Sequence, residues 1–140
     1  FRYCSGEYVI TLDADLQDDP SEIKNLISEI EKGYDLVSGW KKDRKDPLSK
    51  KIPSKFFNIV TRLSTGVLIH DFNCGLKAYK KSVVKSIDIY GGRHRYIPAL
   101  AGQKKFKVSE LIVNHRQRLY GETKYFYLNT LKVLYIFSVK

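Results

Sequence analysis

The stretch Tyr8-Val9-Ile10-Thr11-Leu12-Asp13-Ala14-Asp15-Leu16-Gln17-Asp18-Asp19-Pro20 constrains the fold more than any other part of the chain. β-Branched and aromatic residues run straight into carboxylates, the pattern of a buried strand with acids at its C-terminal end. In open α/β sheets the ligand site lies beyond those carboxyl ends. Asp13 and Asp15 are two residues apart, so in an extended chain their side chains share a face. Two carboxylates on one face repel unless a cation lies between them or one takes a proton. A hard divalent ion such as Mg2+ or Mn2+ takes one or two carboxylates with water and phosphate oxygens. Gln17 offers a neutral oxygen on the same face. The alternatives are a solvated acidic turn and an aspartyl-phosphatase arrangement with Asp13 as nucleophile. An EF-hand calcium loop is excluded, because its sixth and twelfth positions would be Asp18 and Lys24 rather than Gly and Glu.

The surrounding pattern reads as strand, helix, strand. Asp19 is the expected N-cap, with Pro20 at the first helical position and Glu22 at capping-box spacing. Ile23, Leu26, Ile27 and Ile30 recur at helical spacing, and Gly33 closes the helix. Residues 34–38 form a second expected strand, which makes a parallel crossover unit. Residues 39–51 read as a basic loop containing Trp40. After Pro53 comes an expected helix with Phe56, Phe57, Val60 and Leu63 on one face, stopped by Gly66. A strand over 76–79, a short helix over 80–87, helical residues 99–102 and a strand over 106–113 follow. The closing stretch 125–139, with Tyr125, Tyr127, Lys132 and Tyr135, reads as an amphipathic helix suited to a membrane interface.

The net charge of +10 over 140 residues is unevenly spread. Residues 1–38 carry nine acids and three bases, whereas residues 39–140 carry six acids and 22 bases. The basic part calls for an anionic partner: phosphates, a membrane surface or nucleic acid. Arg93 and Arg95 flank His94, and Arg116, Arg118 and Lys124 surround Gly121, where the backbone can turn to let them converge. Guanidinium forks of this kind match phosphate oxygens. No nucleic-acid-binding motif accompanies them, and an acidic strand end repels phosphate without a metal, so nucleic acid is not the expected partner. Asp71, followed by Asn73, Cys74 and Gly75, caps a turn, acts as a general base or holds a sugar hydroxyl.

Cys4 and Cys74 are far apart, which fits a reducing, cytosolic setting. His70, His94 and His115 lack the spacing of a zinc site. The longest apolar run falls short of the roughly 20 residues that span a membrane. A chain that opens on Phe1 and contains no methionine is expected to be a piece of a longer protein.

Five motifs occur in order: Asp13-Ala14-Asp15-Leu16-Gln17-x-x-Pro20, Ser38-Gly39-Trp40-Lys41, Asp71-x-Asn73-Cys74-Gly75-Leu76-Lys77, His94-Arg95-Tyr96-Ile97-Pro98, and His115-Arg116-x-Arg118-x-x-Gly121-x-Thr123-Lys124-Tyr125. Together they cover nearly the whole chain, which resembles family 2 glycosyltransferases, in particular the dolichol-phosphate mannose synthase-like, polyprenyl-phosphate glycosyltransferases. The resemblance implies the C-terminal part of a GT-A fold: an α/β, Rossmann-like mixed sheet with flanking helices, its N-terminal strands missing. Residues 1–124 are then a partial catalytic domain and residues 125–140 a truncated interface helix. The implied activity is inverting transfer from a nucleotide-diphosphate sugar to a polyprenyl phosphate, with a hydroxyl acceptor as the alternative. Asp13, Asp15 and Gln17 would hold the donor diphosphate through Mg2+ or Mn2+. Many relatives have Ser-Arg after the second strand, where this chain has Gly39-Trp40-Lys41-Lys42-Asp43-Arg44. Lys41 and Arg44 are therefore both candidates for the diphosphate. Asp71 is the expected catalytic residue, as a general base or in orienting the sugar or acceptor, and Arg93, Arg95, Arg116, Arg118 and Lys124 are expected to bind the acceptor phosphate. Such a protein would work at the cytoplasmic face of a membrane.

Overall fold

A computed structural model describes residues 1–14, 16–42, 58–88, 95–114 and 116. Strand β1 spans Tyr8–Thr11. A 3-10 turn, Pro20–Glu22, leads into helix α1, Ile23–Glu31, and strand β2 spans Leu36–Trp40. Helix α2 covers residues 58–65. Strand β3, Lys77–Lys80, runs directly into helix α3, Lys81–Ser86, and helix α4, Ile97–Gln103, precedes strand β4, Val108–Ile112.

The sheet order is β1-β3-β2-β4. Strand β3 is antiparallel to β1 and β2, and β4 is parallel to β2. Three strands therefore share one direction and β3 opposes them. The expected crossover from β1 to β2 is present in direction, but β3 lies between the two. The C-terminal ends of β1, β2 and β4 consequently meet the start of β3 along one edge.

Side-chain alternation sorts the strands onto two faces. Leu26 and Ile30 of α1 pack with Val37, Leu76, Ala78 and Val113 on one face, flanked by Tyr8, Ile10 and Leu111. On the other, Leu36 and Tyr79 pack with Val83, Val84, Ile97 and Ala101 of α3 and α4. A third cluster of Val67, Ile69, Phe72, Tyr96 and Ala99 extends that second face beneath the segment that feeds β3.

Several local expectations need correction. β1 is half-buried rather than buried, because it lies at the outer edge of this sheet. Asp19 does cap its turn, accepting from Ser21 N at 3.1 Å. Glu22 does not complete a reciprocal capping box, since its carboxylate accepts from Asn25 Nδ2 at 2.8 Å and Asn114 N at 3.2 Å. β2 begins two residues later than expected and takes in Gly39 and Trp40, which shortens the basic loop. Leu63 is 83% exposed rather than in the core. Phe56, Phe57 and the stretch 117–140, including the expected interface helix, lie outside the described residues. Among those described, no helix is long and apolar enough to cross a membrane.

At the sheet end remote from the acidic stretch, Asp35 ties three strands. Its carboxylate accepts from Lys107 N at 2.9 Å and pairs with Lys80 Nζ at 2.9 Å. Its backbone bonds Lys107 O and Lys80 N at 2.8 and 2.9 Å. Burial raises the carboxyl pKa, but the Lys107 amide and the Lys80 ammonium outweigh it, so the pKa is held below its ordinary value. The stabilisation is therefore complete above the ordinary carboxylate range and is lost as pH falls through the depressed folded value. Asp35→Ala is expected to cost about 1–3 kcal/mol at neutral pH. Denaturant unfolding of both proteins along a descending pH series should show that difference closing in acid.

Candidate functional site

The acidic stretch leaves β1 at the edge where the three C-terminal strand ends meet the start of β3. The segment 70–75 crosses the same edge. Register explains how it is held. Thr11 on β1 lies opposite Lys77 on β3, Lys77 opposite Ser38 on β2, and Ser38 opposite Glu110 on β4. These four residues form one polar row across the sheet, and every one of them bonds the segment. Thr11 Oγ1 donates to Gly75 O at 2.9 Å, and Lys77 Nζ donates to Cys74 O. Ser38 Oγ makes a longer bond, 3.4 Å, to Asp71 O. Glu110 accepts from His70 N at 2.6 Å and pairs with His70 Nδ1.

Asp71 is buried, and its Oδ1 accepts from Asn73 N at 2.9 Å. The turn-capping role is thus realised. Gly75 permits a close approach: a Cβ there would overlap the Asp13 carboxylate. Asp13 itself is exposed, so its oxygens lie against the segment with one side open to solvent.

Asp18, two residues beyond Leu16, holds the acidic turn together. Its Oδ2 accepts from Asp13 N at 3.1 Å, and its Oδ1 pairs with Lys41 Nζ at 2.8 Å. The Lys41 and Asp18 side chains are only 6% and 2% exposed. Burial works against the Lys41 charge, yet the Cys74 sulfur where it ionises in the alkaline range, together with the Asp18 and Asp13 carboxylates, outweighs it and holds the pKa above its ordinary value. Lys77 is more deeply buried, and there burial wins over the pull of Cys74, Asp71 and Asp13, so its pKa is lowered. Burial likewise pushes the Cys74 thiol up to about 11, leaving it neutral at physiological pH.

Arg116 meets the acidic stretch from the far end of the chain. Its N–H donates to Gln17 O at 2.9 Å, and Gln17 Nε2 donates to Arg116 O at 3.1 Å. The guanidinium pairs with Asp19 at 2.9 Å. That pairing, after the stronger hydrogen bonds from Ser21, lowers the Asp19 pKa. Arg95 lies in the turn leading into α4. Asp15, Arg44, Arg93, Arg118 and Lys124 lie outside the described residues. The structure thus brings Asp13, Gln17, Lys41, Asp71 and Arg116 to one edge.

Sequence reasoning missed the roles of Thr11, Asp18, Ser38, Lys77 and Glu110. Only strand register places four of them in one row. Trp40, expected in a loop, is instead the last residue of β2. It stacks on His70 with ring centroids 4.1 Å apart and 10° between planes, and Lys42 Nζ lies 5.7 Å from the indole centroid.

Among the described residues no three His, Cys, Asp or Glu side chains group as metal ligands. The site nevertheless fits a hard divalent cation, which needs only one or two carboxylates when phosphate and water supply the rest. The exposed Asp13 carboxylate, pressed against a glycine backbone, is such a donor.

Residues 1–88 match a family model described as glycosyl transferase family 2. The undecaprenyl-phosphate 4-deoxy-4-formamido-L-arabinose transferase of Shewanella sediminis (strain HAW-EB3) is 38% identical over 135 residues, which is 96% of this chain and 41% of that protein. The dodecaprenyl-phosphate galacturonate synthase of Rhizobium johnstonii (strain DSM 114642 / LMG 32736 / 3841) is 41% identical over 133 residues, or 92% of this chain and 39% of that protein. The chain thus spans about two fifths of the length of these relatives. Glucosyl-3-phosphoglycerate synthase from Mycobacterium tuberculosis, in complex with Mn2+ and uridine-diphosphate-glucose, superposes with a TM-score of 0.56 at 18% identity, covering 82% of this chain and 43% of that one. At that identity the likeness is one of fold, and it bears out the expected GT-A class. The matched model covers more than half the chain, including the acidic turn and the segment laid over the polar row, and the chain belongs to glycosyl transferase family 2.

Proposed function

We propose that this chain carries the diphosphate- and acceptor-facing part of a glycosyltransferase that passes a sugar from a nucleotide-diphosphate donor to a polyprenyl phosphate. The observation that carries this reading is the union of the acidic turn with the Arg116 segment through Gln17 and Asp19. Direct transfer needs the leaving diphosphate and the attacking phosphate within one bond length of a shared carbon, and both are anions. A turn that collects cations for one, joined to an arginine segment that binds the other, meets that need. The names of the two relatives, both polyprenyl-phosphate sugar transferases, support the same acceptor.

In this reading Asp13, Asp15 and Gln17 hold Mg2+ or Mn2+ at the donor diphosphate. The ion, when bound, supplies electrostatic stabilisation of the charge that develops on the leaving diphosphate. Arg44 takes the same diphosphate, and Lys41 adds its positive charge to that edge of the sheet. Arg93, Arg95, Arg116, Arg118 and Lys124 take the acceptor phosphate by guanidinium forks and ammonium contact. A phosphate oxygen attacks the anomeric carbon from the face opposite the leaving diphosphate; as the new carbon–oxygen bond forms, the bond from that carbon to the diphosphate oxygen breaks, and the nucleoside diphosphate leaves with the electron pair. The acceptor is already anionic at neutral pH, so no base is required. Asp71, buried and committed at one oxygen to Asn73 N, then orients the sugar or acceptor. The protein works peripherally at the cytoplasmic face of a membrane, with residues 125–140 as the interface helix, and takes no nucleic acid.

The test is steady-state transfer by the full gene product, with a panel of nucleotide sugars and undecaprenyl phosphate, with and without EDTA. Metal-dependent transfer to the lipid phosphate is expected, and a soluble sugar proving the better acceptor overturns the reading. Gly75→Ala should lower turnover roughly a hundredfold, about 2.7 kcal/mol, because the new methyl displaces the Asp13 carboxylate while the fold survives. Arg116→Ala should raise the acceptor KM about tenfold with little change in donor KM. Arg116→Lys should recover only part of that loss, since an ammonium does not reproduce the fork.

A further inference from the structure

The buried ion pair between Asp18 and Lys41 has no obvious reason to exist on stability grounds. Moving two charges out of water costs several kcal/mol per ion in general, and apolar pairs of similar volume often serve as well. What distinguishes this pair is the second oxygen of Asp18, which accepts from the backbone N–H of Asp13 at 3.1 Å. The turn it closes is strained. Leu16 holds a φ of 62°, a left-handed conformation that is unfavourable for a leucine. A charged acceptor makes a stronger hydrogen bond to an amide than a neutral one, so a carboxylate is suited to close such a turn. Lys41, the residue after β2, fixes that carboxylate by direct contact at 2.8 Å while being buried itself.

We propose that Asp18 is a positioning residue that sets the direction of the Asp13 carboxylate through the Asp13 N–H, and that Lys41 acts through Asp18 rather than as a direct ligand of the donor diphosphate. This inference rests on the reading of Asp13 as a metal ligand. Groups that orient a metal ligand typically contribute 10–100-fold to metal affinity.

Single substitutions confuse position with charge, since removing the Asp18 carboxylate alone weakens cation binding and removing the Lys41 ammonium alone strengthens it. Two double variants avoid this. Asp18→Asn/Lys41→Met and Asp18→Ala/Lys41→Met each remove one charge of each sign and differ only in whether an acceptor remains for the Asp13 N–H. Titrating the full gene product with Mn2+ alone, read by electron paramagnetic resonance of the free ion, compares them without any turnover. The Asn/Met protein should bind Mn2+ within about threefold of wild type, and the Ala/Met protein roughly 10–100-fold more weakly. Equal affinities in the two variants, whether both normal or both weakened, overturn the proposal. A wild-type protein that binds no Mn2+ instead overturns the metal reading on which it rests.

Nucleoside-diphosphate affinity, measured with Mn2+ saturating, separates the role of Lys41. The Asn/Met protein should keep wild-type affinity, and a tenfold loss there makes Lys41 a direct ligand and overturns that half. Should the Ala/Met protein not fold, amide hydrogen exchange at Asp13 decides the matter. Protection in both wild type and the Asn/Met protein is expected, and rapid exchange in the folded wild type overturns the proposal.

Discussion

The site depends on one row of side chains lying in register across four strands. A segment that crosses the end of a sheet brings carbonyls that lose water and need donors. Thr11, Lys77 and Ser38 supply them to Gly75, Cys74 and Asp71, while Glu110 takes the amide of His70. The reversed direction of β3 makes this geometry available. Because β3 opposes its neighbours, its first residue, not its last, lies beside the ends of β1, β2 and β4. The segment that feeds it must then pass over the edge where the acidic turn emerges. A parallel β3 would put Lys77 at the other end of the sheet and leave Asp71 with no reason to be near Asp13.

That packing gathers acids whose mutual repulsion has to be offset. Asp13, Asp18 and Asp71 share the edge with two buried ammonium groups, Lys41 and Lys77. The two lysines, of which Lys77 is the more deeply buried, respond differently. Lys41 has a carboxylate in direct contact and keeps its proton firmly, whereas the contact of Lys77 is with a carbonyl, so desolvation prevails. Cys74 fits between them as a small neutral group. A Cβ on Gly39 would come within 2.9 Å of its Sγ and of Val113 Cγ2, so the β2 backbone reaches the segment only because residue 39 has no side chain.

Much of the architecture was legible in the chain. The periodicity of Ile23, Leu26 and Ile30, the Pro20 and Gly33 boundaries and the apolar run into Asp13 located β1, α1 and β2, because each depends on neighbours in sequence. The resemblance in motif order carried the fold class and the group of residues at the edge. What could not be read was set by register. Nothing local to Thr11, Ser38, Lys77 or Glu110 says that they align, since alignment follows from β3 inserting between β1 and β2. Gly39 and Trp40 looked like loop because their turn-like and basic neighbours outweighed their own preference, but pairing with Leu111 and Ile112 extends β2 through them. Helical spacing puts Leu63 on the face of Phe56, Phe57 and Val60, but spacing identifies a face without saying what covers it, and Leu63 is exposed.

The contact between Gln17 and Arg116 joins residues 99 positions apart, and it links the two charge regimes of the chain. Residues 1–38 are net acidic and the remainder strongly basic, so in an unfolded chain the two would attract without any particular geometry. A backbone bond from Arg116 N to Gln17 O and a side-chain bond from Gln17 Nε2 to Arg116 O convert that attraction into a fixed register. The Arg116 guanidinium, spent partly on Asp19, stays 57% exposed. An exposed fork held by one carboxylate is oriented without being neutralised by several, so it retains donors for a second anion. On the proposed reading that anion is the acceptor phosphate, and its distance from the metal-binding turn is set by two hydrogen bonds to the Arg116 backbone rather than by the reach of the arginine side chain alone.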